Sequence, residues 1–246
     1  MIGENILSIT GENTILNTGE RTGKMEDIYI IGVGMIRFGK YPDKTVQTMA
    51  HEAIELALKD AGLTKEVMEA VFFANTFLGM FDNQHSIRGE VVLRNMGVGK
   101  IPVTNVENAC AGGSTALHMA CTGIKAGMYD VALAVGSEKI TNPNKALSLG
   151  AYATCMDVGN FQKHINTIME LGKTFTVKLP EDQSAPGEGR SIFMDAYALG
   201  ARWHMSRFNS TQHQLAVICS KNHFHGSLNP LSQYQHRMTV DEVIAD

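Results

Sequence analysis

The sequence predicts an α/β fold in which helices cover both faces of a parallel-rich sheet. Short runs that are almost entirely apolar alternate with longer segments whose apolar residues recur at helical spacing. Most of these helical segments end at a glycine, which is a common helix terminator. Apolar strands that alternate with helices are typical of parallel sheets built from right-handed crossovers. The 246 residues are enough to bury a substantial core.

The predicted elements follow one another from Asp27. The run DIYIIGVG (27–34) predicts a strand, and the apolar spacing of residues 45–63 predicts a helix that stops at Gly62. Further strands are predicted over 70–75, 101–107 and 131–138, with helices over 85–97 and 114–127 between them. These elements make residues 25–140 the predicted core.

The regular pattern fails on either side of this core. Residues 1–24 carry a rough duplication, GENILSIT and GENTILNT, that is too short and polar for a solenoid, and we expect a weakly ordered extension. Residues 141–190 mix turn residues with short apolar patches and predict an inserted loop region or lid. Helical spacing returns in 191–246, over 193–208 and 212–226, with Thr211 as N-cap and Gly226 as terminator.

Composition excludes several classes of function. The 21 basic and 25 acidic side chains leave a net charge of −4, and no basic stripe is present, so nucleic acid is not expected as a partner. No secretion signal or membrane-spanning run is found, which leads us to expect a cytoplasmic protein that does not bind membranes. The four cysteines form no CxxC pair, so we expect free thiols and neither a disulfide framework nor a metal site.

Cys110 is the candidate nucleophile. It lies between a predicted strand and a predicted helix, where backbone N–H groups and the helix dipole stabilise an anion. A thiolate attacks carbonyl carbon, and Ala111, Gly112 and Gly113 leave room for a bulky substrate. The alternative is a buried structural thiol, which is common for cysteine. Position alone does not decide between the two. Core packing is the expected role of Cys121 and Cys219, and Cys155 has no assigned role.

Several stretches together resemble the N-terminal half of the thiolase superfamily, of the lipid-transfer or sterol-carrier type that is similar to acetyl-CoA acetyltransferase. They are EDIYIIGVGMIRFGKYPDKT, AVFFAN, NVENACAGGSTALHMACTGIKAGMYDVALAVGSEKIT and QLAVICSKNHFHGSLNP. The elbow ENACAGGSTAL followed by AVGSEK is the most specific part. The resemblance implies a thiolase-like N-terminal half-domain whose C-terminal half is missing, and a Cys110 that is acylated by a CoA thioester.

The resemblance also implies partners. In the family a histidine base and a second acid/base come from the other half, and this chain ends at Asp246 before those positions. We find no convincing base among His118, His204, His213, His223, His225 and His236. We therefore expect either that a separate C-terminal-half chain supplies the base or that this chain is an incomplete product of the gene. A homodimer or hetero-oligomer is the expected assembly. The family further suggests dimerisation along the strand VTNVEN and a small companion with a zinc ribbon and an OB-like fold.

The resemblance implies a thiolase-type acyltransferase that cleaves or forms a 3-oxoacyl-CoA through a cysteine acyl-enzyme. Coenzyme A is then a substrate, and no tightly bound cofactor is expected. Phe193 and Met194 are candidates for the acyl pocket, with core packing as the alternative. A retro-aldol lyase on a CoA thioester and an aromatic acylsuccinyl-CoA thiolase subunit are alternative enzymes, although Cys110 favours thiolysis over the lyase. A non-catalytic subunit that binds CoA or a partner is the alternative from another class.

Overall fold

A computed structural model describes residues 6–11, 27–177 and 191–245 of the chain. The chain divides into two compact units, residues 1–141 and residues 142–246, and each unit has its own architecture. None of the helices in the described ranges is both long enough and apolar enough to cross a membrane.

The first unit alternates strands and helices as the sequence predicts. Its described strands are β1 (Ile6–Gly11), β2 (Ile28–Gly34), β3 (Ala70–Ala74), β4 (Val103–Val106) and β5 (Val131–Gly136). Its described helices are α1 (Val46–Ala61), α2 (Leu78–Asp82), α3 (Arg88–Asn95) and α4 (Gly112–Lys125), with single 3₁₀ turns at Lys65–Val67 and Ala109–Ala111. The short helix α2 is absent from the sequence-based prediction.

All five of these strands belong to one sheet, in the order β2-β1-β5-β3-β4. Strand β3 pairs in parallel with β4 and β5, whereas β1 is antiparallel to both of its neighbours. Four strands are therefore parallel to one another, which confirms the predicted parallel-rich α/β fold. Strand β1 lies inside the stretch for which the sequence predicts a weakly ordered extension. The run ILSIT has the apolar and β-branched composition of a strand, and its pairing partners lie far away in the sequence.

Helices cover the sheet on two faces, and the strands alternate between them. Val71 and Phe73 of β3, with Leu133 and Val135 of β5, pack against α1 and α3. The intervening residues of the same strands, among them Phe72, pack against α4. This period of two explains why the strands look continuously apolar in the sequence, since both faces of the sheet are buried.

Helix α1 begins and ends where the sequence predicts. The Thr45 side chain accepts a hydrogen bond from the Thr48 backbone N–H, and the Thr48 side chain accepts one from Thr45, which makes a capping box. Gly62 ends the helix with a φ of 66°, a left-handed conformation that favours glycine.

The described part of the second unit is helical. Its helices are α5 (Lys145–Ala153), α6 (Phe161–Lys173), α7 (Ile192–Phe208), α8 (Gln212–Leu228) and α9 (Val240–Ala245), with a 3₁₀ turn at Val158–Asn160. The Thr211 capping box confirms the predicted N-cap of α8, but the helix runs past Gly226 and ends at Leu228.

Two helices, α5 and α6, lie within residues 141–190, the region predicted as an inserted loop region or lid. The Asn144 side chain accepts hydrogen bonds from the N–H groups of Ala146 and Leu147 and so starts α5. Helix α6 carries apolar residues at 161, 165, 168 and 169, which is the spacing of one helical face. The many turn residues around these short helices obscured that spacing.

Candidate active site

Cys110 lies at the carboxyl end of β4, in the short connection that leads into α4. It occupies the 3₁₀ turn Ala109–Ala111, and α4 begins two residues later at Gly112. Its side chain is exposed. Cys110 is therefore not a core thiol in the first unit, unlike the buried structural thiol that the sequence left as the alternative.

The turn that carries Cys110 has an unusual backbone. Ala109 adopts a positive φ of 44°, which residues other than glycine rarely do. Its N–H donates a hydrogen bond of 2.7 Å to Glu107 Oε1, and the Ala111 N–H donates one of 2.9 Å to the Asn108 carbonyl. The Asn108 side chain donates to Thr115 Oγ1 of α4 at 2.9 Å. Hydrogen bonds to Glu107, within the turn, and from Asn108 to α4 thus hold the turn in place.

The start of α4 defines the electrostatics beside this turn. The N-terminus of a helix carries partial positive charge because its first N–H groups lack intrahelical acceptors. A negative charge on Sγ, or on a carbonyl oxygen of a group bonded to it, is stabilised there. The exposed sulfur and this dipole together suit attack on a thioester or ketone by the Cys110 thiolate.

A buried polar network follows the neighbouring strands at the same sheet edge, and the sequence analysis missed it. Asn75 comes directly after β3 and is only 4% exposed. Its Nδ2 donates to the Ser137 carbonyl at 2.8 Å and to Glu138 Oε1 at 3.1 Å. Its Oδ1 accepts from the Leu78 N–H at 3.0 Å and from Arg88 Nη1 at 3.2 Å. One amide thereby joins the ends of β3 and β5 to the first residues of α2 and α3.

Glu138, two residues beyond β5, is the acidic member of this network. Its carboxylate accepts hydrogen bonds from the Thr76 N–H at 2.7 Å and from the Phe77 N–H at 3.2 Å. Burial raises the pKa of the Glu138 carboxyl, and the hydrogen bonds from these N–H groups only partly offset that rise. Because these donors engage both oxygens, the geometry suits Glu138 to holding the loop after β3.

The network reaches the strand that precedes the cysteine. Arg88 Nη1 donates to the Asn75 carbonyl at 2.6 Å, which fixes the start of α3. The next residue, Gly89, donates its N–H to Asn105 Oδ1 of β4 at 2.7 Å. The signal for these residues in the sequence is a polar side chain at or just after the end of each buried strand, where parallel strands place their functional groups.

The remaining predicted site residues lie elsewhere. Phe193 and Met194 are in the first turn of α7, in the second unit; Phe193 is half-buried and Met194 is exposed. Their role in an acyl pocket stays a prediction. Cys121 packs beside the core cluster under α4, which confirms its structural role. Cys155 and Cys219 are both half-buried in the second unit.

Of the histidines considered as bases, only His118 lies in the same unit as Cys110. In the described residues, Cys110 Sγ makes no hydrogen bond. His118 is exposed on α4. In the second unit, His223 Nδ1 lies 3.3 Å from the His236 carbonyl oxygen, and His204 Nδ1 lies 2.6 Å from Ser210 Oγ. Within the described ranges, no three His, Cys, Asp or Glu side chains are grouped to hold a metal ion.

Comparison with known proteins agrees with this geometry. The family model "Thiolase, N-terminal domain" matches residues 28–178. Acetyl-CoA acetyltransferase of Methanothermobacter thermautotrophicus is 30% identical over 220 residues, which cover 89% of this chain and 50% of that protein. Sterol carrier protein 2 of Gallus gallus is 30% identical over 220 residues, covering 88% of this chain and 36% of that protein.

Two further proteins are similar to most of this chain. Benzoylsuccinyl-CoA thiolase subunit BbsB of Thauera aromatica is 26% identical over 219 residues, which cover 88% of this chain and 48% of that subunit. The solved structure of an Ltp2-ChsH2(DUF35) aldolase shares the fold, with a TM-score of 0.56 and 19% identity, over 86% of this chain and 46% of that one. The chain thus spans half or less of the length of these proteins. The match over residues 28–178, which form a thiolase N-terminal domain, shows that the chain belongs to the thiolase family.

Proposed function

We propose that the chain is the cysteine-bearing component of a thiolase-type acyltransferase that acts on a 3-oxoacyl-CoA. The observation that carries the proposal is the exposed Cys110 on a constrained turn at the N-terminus of α4. Relatives named acetyl-CoA acetyltransferase and benzoylsuccinyl-CoA thiolase subunit support acyl-CoA chemistry.

The reaction proceeds in two acyl transfers. The Cys110 thiolate attacks the C3 carbonyl carbon, and the developing oxyanion is stabilised by the partial positive charge at the start of α4. The C2–C3 bond then breaks, its electron pair passes to C2 of the departing acyl-CoA, and C2 takes up a proton. The thiolate of a second CoA attacks the acyl-cysteine, forms the shortened acyl-CoA and releases the Cys110 thiolate. The reverse sequence is a Claisen condensation.

The proton transfers need groups that the described part of the first unit does not place against the sulfur. We therefore propose that a further polypeptide segment, from a C-terminal-half chain or from a longer form of the protein, supplies the base. Half-length coverage of the relatives supports this proposal. A small companion chain with a zinc ribbon and an OB-like fold is a further proposed partner. The solved structure named Ltp2-ChsH2(DUF35) aldolase pairs two named components and makes a companion worth seeking by co-purification.

Acyl transfer to the cysteine tests the proposal directly. The native chain, with any chain that co-purifies, is incubated with acetyl-CoA, quenched in acid and mapped by peptide mass spectrometry. We expect one acetyl group on the peptide that contains Cys110, its loss on addition of free CoA, and none on Cys121 or Cys219. The variant Cys110→Ala is the matched control. CoA binding without acetylation of Cys110 would instead favour the non-catalytic subunit, and equal labelling of all cysteines would refute the nucleophile.

A further inference from the structure

Glu107 is the acidic side chain nearest in sequence to the candidate nucleophile. It is the first residue after β4, and its side chain is exposed. Its Oε1 accepts a hydrogen bond of 2.7 Å from the Ala109 N–H. Among the described residues, no lysine, arginine or histidine forms an ion pair with this carboxylate. The contact that Glu107 makes in this part of the chain is therefore directed to the backbone beside Cys110.

The backbone at Ala109 is the strained point of the turn. Its φ of 44° is left-handed, which a residue with a Cβ adopts only where its surroundings impose it. The N–H groups of Ala111 and Gly112 donate to the carbonyl oxygens of Asn108 and Ala109, respectively, and form the 3₁₀ turn. The N–H of Ala109 itself is bound by the Glu107 carboxylate. A side-chain acceptor thus distinguishes the strained residue from its neighbours.

Other contacts hold the two ends of the turn. A carbonyl oxygen at the end of β4 accepts a hydrogen bond from the Asn75 N–H at 3.2 Å. On the other side, Asn108 Nδ2 donates to Thr115 Oγ1 of α4 at 2.9 Å. Between these two points, the Glu107 contact fixes the residue that directly precedes Cys110. This matters for chemistry, because attack on a carbonyl carbon requires the sulfur to approach from a defined direction.

We propose that Glu107 is a positioning residue for Cys110. Its carboxylate holds Ala109 in the left-handed conformation and thereby directs the Cys110 side chain for attack on an acyl carbonyl. This inference rests on the proposed function, because a sulfur that attacks no carbonyl needs no fixed direction. The contact requires a hydrogen-bond acceptor and not a negative charge. Glutamine at position 107 should therefore preserve the arrangement, and alanine should not.

Single-turnover acetylation tests this role. The native chain, with any chain that co-purifies, is mixed with acetyl-CoA at a range of concentrations, and acetylated Cys110 is quantified over time by peptide mass spectrometry. In Glu107→Ala we expect the maximal rate constant to fall about 5- to 30-fold, the population change that corresponds to the cost of a left-handed residue with a Cβ. The acetyl-CoA concentration that gives half the maximal rate should not change, because the sulfur is misdirected while CoA binding is unaltered. Glu107→Gln should restore the rate to within about twofold of the parent, and the control Glu55→Ala, at an exposed position on α1, should match the parent.

Glycine at position 109 tests the route by which Glu107 acts. Because glycine adopts a positive φ without steric cost, Ala109→Gly should raise the rate in Glu107→Ala by at least about fivefold, and by less in the chain that keeps Glu107. A purely electrostatic effect of Glu107 on the sulfur would give no such coupling. Cys121 packs beside the core under α4, so an unchanged rate of iodoacetamide labelling at Cys121 shows that each variant is folded.

The outcomes separate failure of this inference from failure of the proposed function. If Cys110 of the parent chain is not acetylated, the proposed function is wrong and the positioning role is wrong with it. If the parent is acetylated and Glu107→Ala reacts at the same rate, the function stands and the positioning role is wrong. An equal effect of Ala109→Gly with and without Glu107 would also overturn the proposal. A loss in Glu107→Gln as large as in Glu107→Ala would overturn it by assigning the effect to the negative charge.

Discussion

Replacing Asn75 by alanine tests whether the buried network organises the sheet edge beside Cys110. The substitution removes four hydrogen bonds from a side chain that is 4% exposed. Two of these hydrogen bonds join neutral groups, and each contributes about 1 kcal/mol to stability. The other two involve the charged groups of Glu138 and Arg88, and each contributes about 1.5–3 kcal/mol. Such losses are not additive within one network, so we expect the free energy of unfolding of the first unit to fall by about 3–5 kcal/mol.

The assay must report on the first unit alone. The single tryptophan, Trp203, lies in the second unit, so its fluorescence does not serve. Hydrogen exchange of β3 and β5 in increasing urea measures the opening free energy where the network lies. The control is Asn95→Ala, an exposed asparagine at the end of α3, for which a change within about 0.5 kcal/mol is expected. A loss below about 1 kcal/mol in Asn75→Ala would refute the reasoning that the network is a single stabilising unit.

Three further outcomes follow from the same structure. Burial raises the pKa of the Glu138 carboxyl, so the folded state binds the carboxyl proton more tightly than the unfolded chain does. The protonated carboxyl therefore contributes fully to the free energy of unfolding at low pH, and this contribution is lost as pH rises through the raised pKa. Urea unfolding at a series of pH values should show this dependence, and Glu138→Gln should abolish it. Ile87 has a φ of 50°, a strained value for a β-branched residue, and its side chain is 57% exposed. Ile87→Gly should therefore raise the free energy of unfolding by roughly 0.5–1 kcal/mol, and a decrease would show that the backbone at Ile87 is not strained. Gly34→Ala would place a Cβ against backbone atoms of α1 and should cost at least about 2 kcal/mol by the same assay, whereas Gly99→Ala, with open space around it, should not.

The sequence predicts those parts of the fold that depend on neighbouring residues. Thr45 and Gly62 bound α1 because both caps act within a few residues, and the apolar runs of β3 and β5 reflect burial on two faces. Strand β1 escapes prediction because its partners include residues 131–134, more than a hundred positions away. The helices α5 and α6 escape because each is short and lies among turn residues.

The candidate site likewise has one part that the sequence predicts and one part that depends on the fold. Cys110 is predictable because strand, small residues and helix follow one another locally in the sequence. The network of Asn75, Glu138 and Arg88 is not predictable, because its members come from the end of β3, the segment after β5 and the start of α3, which only the fold brings together. A polar residue just after a buried strand is a usable signal, but its partners appear only once β3 is known to lie between β4 and β5.

The backbone at Ala109 separates Cys110 from the other cysteines on physical grounds alone. A left-handed conformation costs a residue other than glycine about 1–2 kcal/mol, and it persists only where the surroundings impose it. Here the imposing contacts are the Glu107 carboxylate on the Ala109 N–H and the Asn108 side chain on α4. Because the backbone of Ala109 is held in one conformation, the Cα–Cβ bond of the next residue, Cys110, has a fixed direction. A thiol that only packs in a core, such as Cys121 within the regular turns of α4, needs no such constraint, whereas a nucleophile that must meet a carbonyl at a set angle does.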